Sequence, residues 1–424
     1  MAEIRPFRAL RYDTSKVRLE DVVTQPYDKI TPAMQNGYYE RHPANFVRFE
    51  LPLPHTQDVY EGAREFLAQM RREEVIRLEE RPALYVYEQE FAHPVEAGRK
   101  LSRRALIALG RLHDYDDGVV FRHEQTLTGP KQDREQLLKT TRVQSGLLFL
   151  MYDDPAHTVE QLPAEDAVEF VDDLGVKQRL WAVTDRDTIR QIQNTFGGQA
   201  LFIADGHHRY ETALALRRSR EGKYAEDFAM MALVNISSEG LVVLPTHRAV
   251  FGVASDRLRA CMERLTSEFG MTRLESRAPA ALTEALRSTR QERFAAVVVS
   301  ADAACLLDLE RATLERCFPG HSFELDVEAL HALFAELLGI TAADVAEQKH
   351  VRYQRYAEEA LKDLKEGAQA AFLIRPVPID VIRDRSLRGA LMPQKSTDFY
   401  PKMNSGLTMY SWDESFPAPR GASI

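Results

Sequence analysis

Asp205-Gly206-His207-His208-Arg209 brings together side chains suited to handling a phosphate group. An arginine forks two hydrogen bonds onto phosphate oxygens. Imidazoles donate to the same group or move a proton near neutral pH, and His208 is the catalytic candidate of the pair. The glycine lets the backbone bend closely around a ligand. Asp205 can cap a helix, hold a metal bound to phosphate, or orient a histidine. The bland alternative is a capping aspartate followed by two solvated imidazoles. The functional reading is preferred, because ligands of α/β folds favour the carboxyl ends of strands.

Further polar clusters extend the candidate list. Met392 to Thr397, running on to Lys402, places Lys395, Ser396, Thr397 and Lys402 in one loop of phosphate-type donors; it lacks the glycines of a P-loop and reads equally as a solvated loop. Arg122, His123 and Glu124, with Gln125, Thr126, Lys131 and Arg134 behind them, form a dense polar stretch, either a binding loop or a charged surface. His247 in Thr246-His247-Arg248 stands at a strand end, where a structural histidine is the simpler reading. Asp28, in Gln25-Pro26-Tyr27-Asp28, and Glu50 are the candidate general bases, although the proline beside Tyr27 also says rigid turn.

These residues need elements to position them. ALFIA before Asp205 reads as a short buried strand, and His207 to Arg220 as a helix with Tyr210, Ala213, Leu214 and Leu216 on one side. That strand–turn–helix would aim unpaired N–H groups and the positive end of a helix at an anion. Upstream, Thr31-Pro32 starts a short helix, Asn45 to Leu51 alternates like a strand, and Asp58 to Glu74 is a helix. ALYVYEQEF and RRALIALGRL form a hairpin. GLLFLMYD and RLWAVTD are strands, with a glycine-ended helix after the second. FAMMALVNIS and LVVLPTHRAV read as two strands joined at Ser238-Glu239-Gly240. From about Ala254, two amphipathic helices, a strand pair and a further helix suggest a separate α+β region. The expected organisation is a core over 1–253, an inserted or appended α+β domain over 254–350, and a C-terminal segment over 351–424 that returns to the site. The fold class is mixed α/β.

The totals exclude several classes. A formal net charge of −9, from 55 basic and 64 acidic residues, gives no general attraction to nucleic acid or an anionic membrane. Three cysteines without a C-x-x-C pair argue against a disulfide framework or a cysteine-zinc site. There is no H-E-x-x-H, so Mg²⁺ carried in with a phosphate ligand, using Asp205 and waters, is the metal expected. With no apolar leader and no long apolar run, the expected location is the cytoplasm.

I-A-D-G-H-H-R-Y-E-T-A-L resembles the signature of a bacterial and archaeal family known as domain of unknown function number ten-fifteen. Q-P-Y-D-K-I resembles that family's P-P-Y-D-V-I, and R-H-E-Q-T, L-P-T-H-R, M-P-Q-K-S-T-D-F-Y-P-K and S-G-L resemble its other blocks, from about residue 5 to 410. Gln25 and Lys29 depart from the usual proline and valine, and V-R-Y-Q-R-Y lacks the Thr-His-Asp that the family places after the tyrosine. The D-G-H-H-R element is also similar to the phosphate-binding box of the ParB/sulfiredoxin-like superfamily, which includes partition proteins, sulfiredoxins and free serine kinases. The resemblance implies a ParB/sulfiredoxin-like core and phosphoryl transfer from ATP, ADP or pyrophosphate to a small hydroxyl, with L-serine the leading acceptor. In that reading His207, His208 and Arg209 hold the donor, Lys395, Ser396 and Thr397 neutralise the transferring group, and Asp28 or Glu50 takes the hydroxyl proton. Two rivals remain. A nucleotide-dependent switch like a partition protein is opposed by the net charge. A redox enzyme like sulfiredoxin is opposed by the distance in sequence of Cys261, Cys305 and Cys317 from the box.

Overall fold

The computed structural model describes residues 1–54, 58–96, 98–124, 129–219 and 224–415. The chain forms two compact units, Met1–Val242 with Phe399–Ile424, and Val243–Asp398. The boundaries drawn from sequence at 254 and 350 both fall inside the second unit. The reason is strand pairing: residues 248–250 lie antiparallel to 370–372, which draws both flanks of the 254–350 region into one sheet.

The first unit is built on a mixed sheet of nine strands: β1 (Ile4–Arg5), β2 (Leu84–Ala92), β3 (Lys100–Arg111), β4 (Val120–Phe121), β5 (Leu148–Tyr152), β6 (Val168–Val171), β7 (Lys177–Val183), β8 (Leu201–Asp205) and β9 (Phe228–Asn235). Their order is β4-β8-β5-β9-β3-β2-β7-β6, with β1 against β3. The β4–β8 and β5–β9 pairs are parallel. The expected hairpin is β2–β3, in register from Tyr85 opposite Ile107 to Ala92 opposite Lys100. Every residue of β9 is buried, which is why its sequence is continuously apolar rather than alternating. Leu84, Val86, Leu106, Leu150, Ile203 and Leu233 belong to one core.

Helices pack around this sheet: α1 (Pro32–Arg41), α2 (Val47–Glu50), α3 (Val59–Arg72), α4 (Gly129–Thr141), α5 (Arg186–Phe196) and α6 (His207–Ser219). Thr31 caps α1 by accepting from the Met34 N–H at 3.3 Å, with Pro32 in the first turn as expected. Residues 45–51 are not a strand. Asn45 Oδ1 accepts from the Val47 N–H at 3.0 Å and starts the turn of α2. Phe46, Val47 and Phe49 are all fully buried, so their spacing reflects burial on several sides rather than a pleated face. Glu50 therefore ends a short helix. LVVLPTHRAV is likewise two strands, Val242–Leu244 and His247–Val250, because Pro245 has no N–H to continue a ladder.

The C-terminal segment of the first unit closes over the sheet. Arg103, 1% exposed, donates to the carbonyls of Tyr400 at 3.2 Å and Pro401 at 2.6 Å. Gln89, which accepts from the same guanidinium, donates to the Lys402 carbonyl at 3.0 Å. Burial pulls Arg103 down to about 10, so it stays charged at neutral pH. Further on, Leu10 and Met409 exchange two backbone hydrogen bonds of 3.0 Å, and Tyr410–Ser411 pairs with Val143–Gln144.

The second unit is α+β. Its antiparallel sheet runs β11 (Thr272–Arg273), β13 (Ala304–Glu310), β12 (Arg293–Val299), β15 (Ala370–Ile374), β10 (His247–Val250), β14 (Val351–Gln354), in that spatial order. The two expected amphipathic helices are Ser255–Ser267 and Pro279–Arg287. Cys261, Cys305 and Cys317 are unbridged. No helix among the described residues is long and apolar enough to cross a membrane.

Candidate active site

The site grows from the end of β8. The pairing of β8 with β5 shifts register between Ile203 and Asp205, a bulge that re-aims the last residue of the strand. Gly206 follows with φ +95°, a conformation that favours glycine, and α6 begins at His207. Strand, bend and helix therefore place Asp205 at the positive end of α6.

Asp205 is held by cations. Lys402 Nζ donates to Oδ2 at 2.7 Å, and Arg209 Nη2 lies 3.7 Å from Oδ1. Burial alone would raise this carboxyl, but Lys402, Arg209 and Lys29 outweigh it and hold it far below the ordinary carboxylate range. Arg209 in turn is pulled down by burial and up by Asp205, Asp28, Tyr27 and Glu50, and the net shift is upward. Its Nη1 also donates to the Leu147 carbonyl at 2.6 Å. A Cβ on Gly146 would stand 2.8 Å from that nitrogen, so the glycine makes room for the guanidinium.

The adjacent histidines face different ways, as neighbours on a helix must. His207 is 7% exposed and meets the fully buried His123 edge to face, with ring centroids 4.5 Å apart. Burial pushes both imidazoles down, His123 to about 4 and His207 well below its ordinary value, the latter also through the neighbouring His123. Both are neutral at pH 7. His208 is half-buried, as are Arg122 and Glu124. Arg122 lies over the Tyr115 ring at 4.6 Å and 3.4 Å from Glu211. Gln125 and Thr126 lie outside the described residues, as does the side chain of Lys131.

The two candidate bases differ sharply. Glu50 is 2% exposed, accepts from the Ser145 hydroxyl at 2.6 Å, and has Arg134 Nη1 3.8 Å from its Oε1. Asp28 is exposed. Arg134 also lies over the Tyr27 ring at 4.5 Å and donates to the Glu50 carbonyl at 2.8 Å. Glu50, Arg134, Ser145 and Arg209 share the lining of a cavity of about 60 Å³. Ser145 and Thr212, which line it, were not singled out from sequence. A lone hydroxyl residue carries no spacing signal.

His247, Lys395, Ser396 and Thr397 belong to the second unit, apart in the chain organisation from Lys402. There His247 Nδ1 accepts from the Ile374 N–H at 3.3 Å, and burial pushes its imidazole down to about 3. The Lys395 carbonyl accepts from Thr246 Oγ1 at 2.6 Å, and Ser396 Oγ donates to the Pro393 carbonyl at 2.5 Å. His247 is thus a buried structural acceptor within its sheet.

Asp205 does not fit as a metal ligand in this arrangement, since an ammonium and a guanidinium already occupy its field. No group of three or more His, Cys, Asp or Glu among the described residues could hold a metal ion. Chemically the site offers two cationic side chains, Lys402 and Arg209, at a helix start, with a buried carboxylate on a small cavity, a combination suited to anions and to accepting a proton.

Fold and site together define a mixed α/β protein with an anion-attracting helix start. The chain belongs to the family described as Protein of unknown function (DUF1015), whose profile matches residues 4–328. No curated protein matches it. Among solved structures it is similar to a mutant free serine kinase in complex with ADP, at 12% identity and TM-score 0.37, over 73% of this chain and 91% of that one. It is similar to another mutant free serine kinase, in complex with AMP, at 13% identity and TM-score 0.38, over 70% and 87%. A conserved hypothetical protein from Pyrococcus furiosus is similar at 14% identity and TM-score 0.37, over 74% and 97%. These likenesses are distant.

Proposed function

We propose that the first unit transfers a phosphoryl group from ATP, ADP or pyrophosphate to a small alcohol, with free L-serine the first acceptor to test, as the resemblance of the D-G-H-H-R box implies. The observation that carries this is the convergence of Lys402 and Arg209 on Asp205 at the positive end of α6. A donor phosphate entering there meets the helix N–H groups and shares the cations with Asp205. His208, half-buried beside them, donates to the same oxygens. Glu50 is the better base of the two candidates. Its Oε2 accepts from Ser145 and its Oε1 lies 3.8 Å from Arg134 Nη1, and this carboxylate, on the cavity shared with Arg209, would take the acceptor's proton. Phosphoryl transfer depends mainly on positioning and charge stabilisation, so cations and one base suffice. A Mg²⁺ ion would enter with the donor, liganded mostly by phosphate and water, and Asp28 is the exposed carboxylate available to it; its chemistry is to neutralise the donor's charge.

The test is direct. Incubated with L-serine, Mg²⁺ and each of ATP, ADP and pyrophosphate in turn, the protein should yield phosphoserine with at least one donor, and Glu50→Gln should slow turnover by about 10²–10⁴-fold. Absence of any phosphorylated product with all three donors, across a panel of small alcohols, removes the reading.

A further inference from the structure

The cavity behind Arg209 has a second character. Beyond its polar rim, its wall is Leu137, Leu138, Val143, Leu148, Ala213 and Ala229, contributed by α4, β5, α6, β9 and the segment between α4 and β5. Within that apolar wall sits Thr212. It is 4% exposed, and its hydroxyl has no hydrogen-bond partner among the described residues. Thr212 follows Arg209 by three positions on α6, so the two share a helix face. A buried hydroxyl without a partner is unfavourable unless something else completes it. At about 60 Å³ the cavity is several times the roughly 10–15 Å³ that one water needs. It is well below the roughly 300–1,000 Å³ of a pocket that takes a drug-sized ligand, so it suits a small molecule and not a nucleotide.

Resting on the phosphotransfer reading, we propose that this cavity is the acceptor pocket and that its acceptor is a short aliphatic alcohol with a second polar group, rather than the compact and wholly polar L-serine. The hydroxyl to be phosphorylated lies at Glu50, a chain of about three to five carbons lies against the apolar wall, and the far polar group bonds to Thr212. In the transfer, the acceptor oxygen forms a bond to the terminal phosphorus as its proton passes to Glu50. The bond from that phosphorus to the donor's bridging oxygen breaks, and the electron pair leaves with the donor.

The test compares L-serine, L-homoserine and 1,4-butanediol as acceptors for the wild type and for Thr212→Val, a change of shape-matched side chain that removes only the hydroxyl. The longer alcohols should exceed L-serine at least tenfold in kcat/KM. Thr212→Val should erase most of that advantage through the acceptor's KM, and it should raise the Tm of the ligand-free protein, because an unpartnered hydroxyl is lost. L-serine used as well as the longer alcohols, or an acceptor preference unchanged in Thr212→Val, overturns the assignment. If no alcohol is phosphorylated, the phosphotransfer reading falls by itself, and the pocket is judged by thermal shift with L-homoserine alone. A rise in wild-type Tm that Thr212→Val lacks supports the pocket, and no rise overturns it.

Discussion

At the scale of single residues, the Lys402–Asp205 contact decides most about the site. Lys402 is 8% exposed and Asp205 24%, so removing the lysine leaves a largely desolvated carboxylate that has lost its closest cation. Fully buried pairs lose about 3–5 kcal/mol on such a change, and partial exposure reduces this, so Lys402→Met should cost about 2–3 kcal/mol in urea unfolding and weaken donor binding by calorimetry. The histidines give a pH signature. An imidazole whose folded pKa is depressed contributes full stability above the unfolded value of about 6.5, and that stability is lost as pH falls toward the folded value. His123, at about 4, should therefore remove on the order of 3 kcal/mol between pH 6.5 and 4, and His123→Phe should flatten that slope in unfolding curves taken across the window. The D-G-H-H-R run was legible because its chemistry is contiguous. Ser145 and Thr212 were not, since what distinguishes them is a neighbour from another element: Glu50 for one, an apolar wall for the other.

At the scale of elements, strands with long apolar runs were readable and short helices were not. β5, β8 and β9 announce themselves through burial on both faces. α2 has four residues, too few for a helical period to show, and its apolar spacing passed for a strand. Pro245 was the available signal that LVVLPTHRAV breaks, since proline removes a ladder donor. The junction between α4 and β5 matters for function in a similarly local way. Gly146 accommodates the Arg209 guanidinium, and its replacement meets the far end of a flexible side chain rather than backbone. Gly146→Ala should therefore cost less than about 1 kcal/mol in stability while raising the donor's KM about tenfold, measured side by side by thermal melting and steady-state kinetics.

At the scale of the whole chain, the strand and helix patterns pointed to a mixed α/β protein, but periodicity could not show which segments share a unit. That depends on strand partners far apart in sequence, such as residues 248–250 with 370–372. The first unit is discontinuous: its sheet ends before Val243, and the segment from Phe399 returns to supply Lys402 and a strand for Val143–Gln144. Deleting residues 399–424 should abolish donor binding in calorimetry and broaden the thermal transition, because Arg103 and Asp205 both lose buried partners.

That discontinuity also imposes an order in time. A ribosome completes Asp205 197 residues before it reaches Lys402, a delay of roughly 10–40 s at ~5–20 residues per second. Throughout that interval the nascent chain carries the aspartate without its lysine, so only a chain grown past Lys402 can assemble this charge cluster.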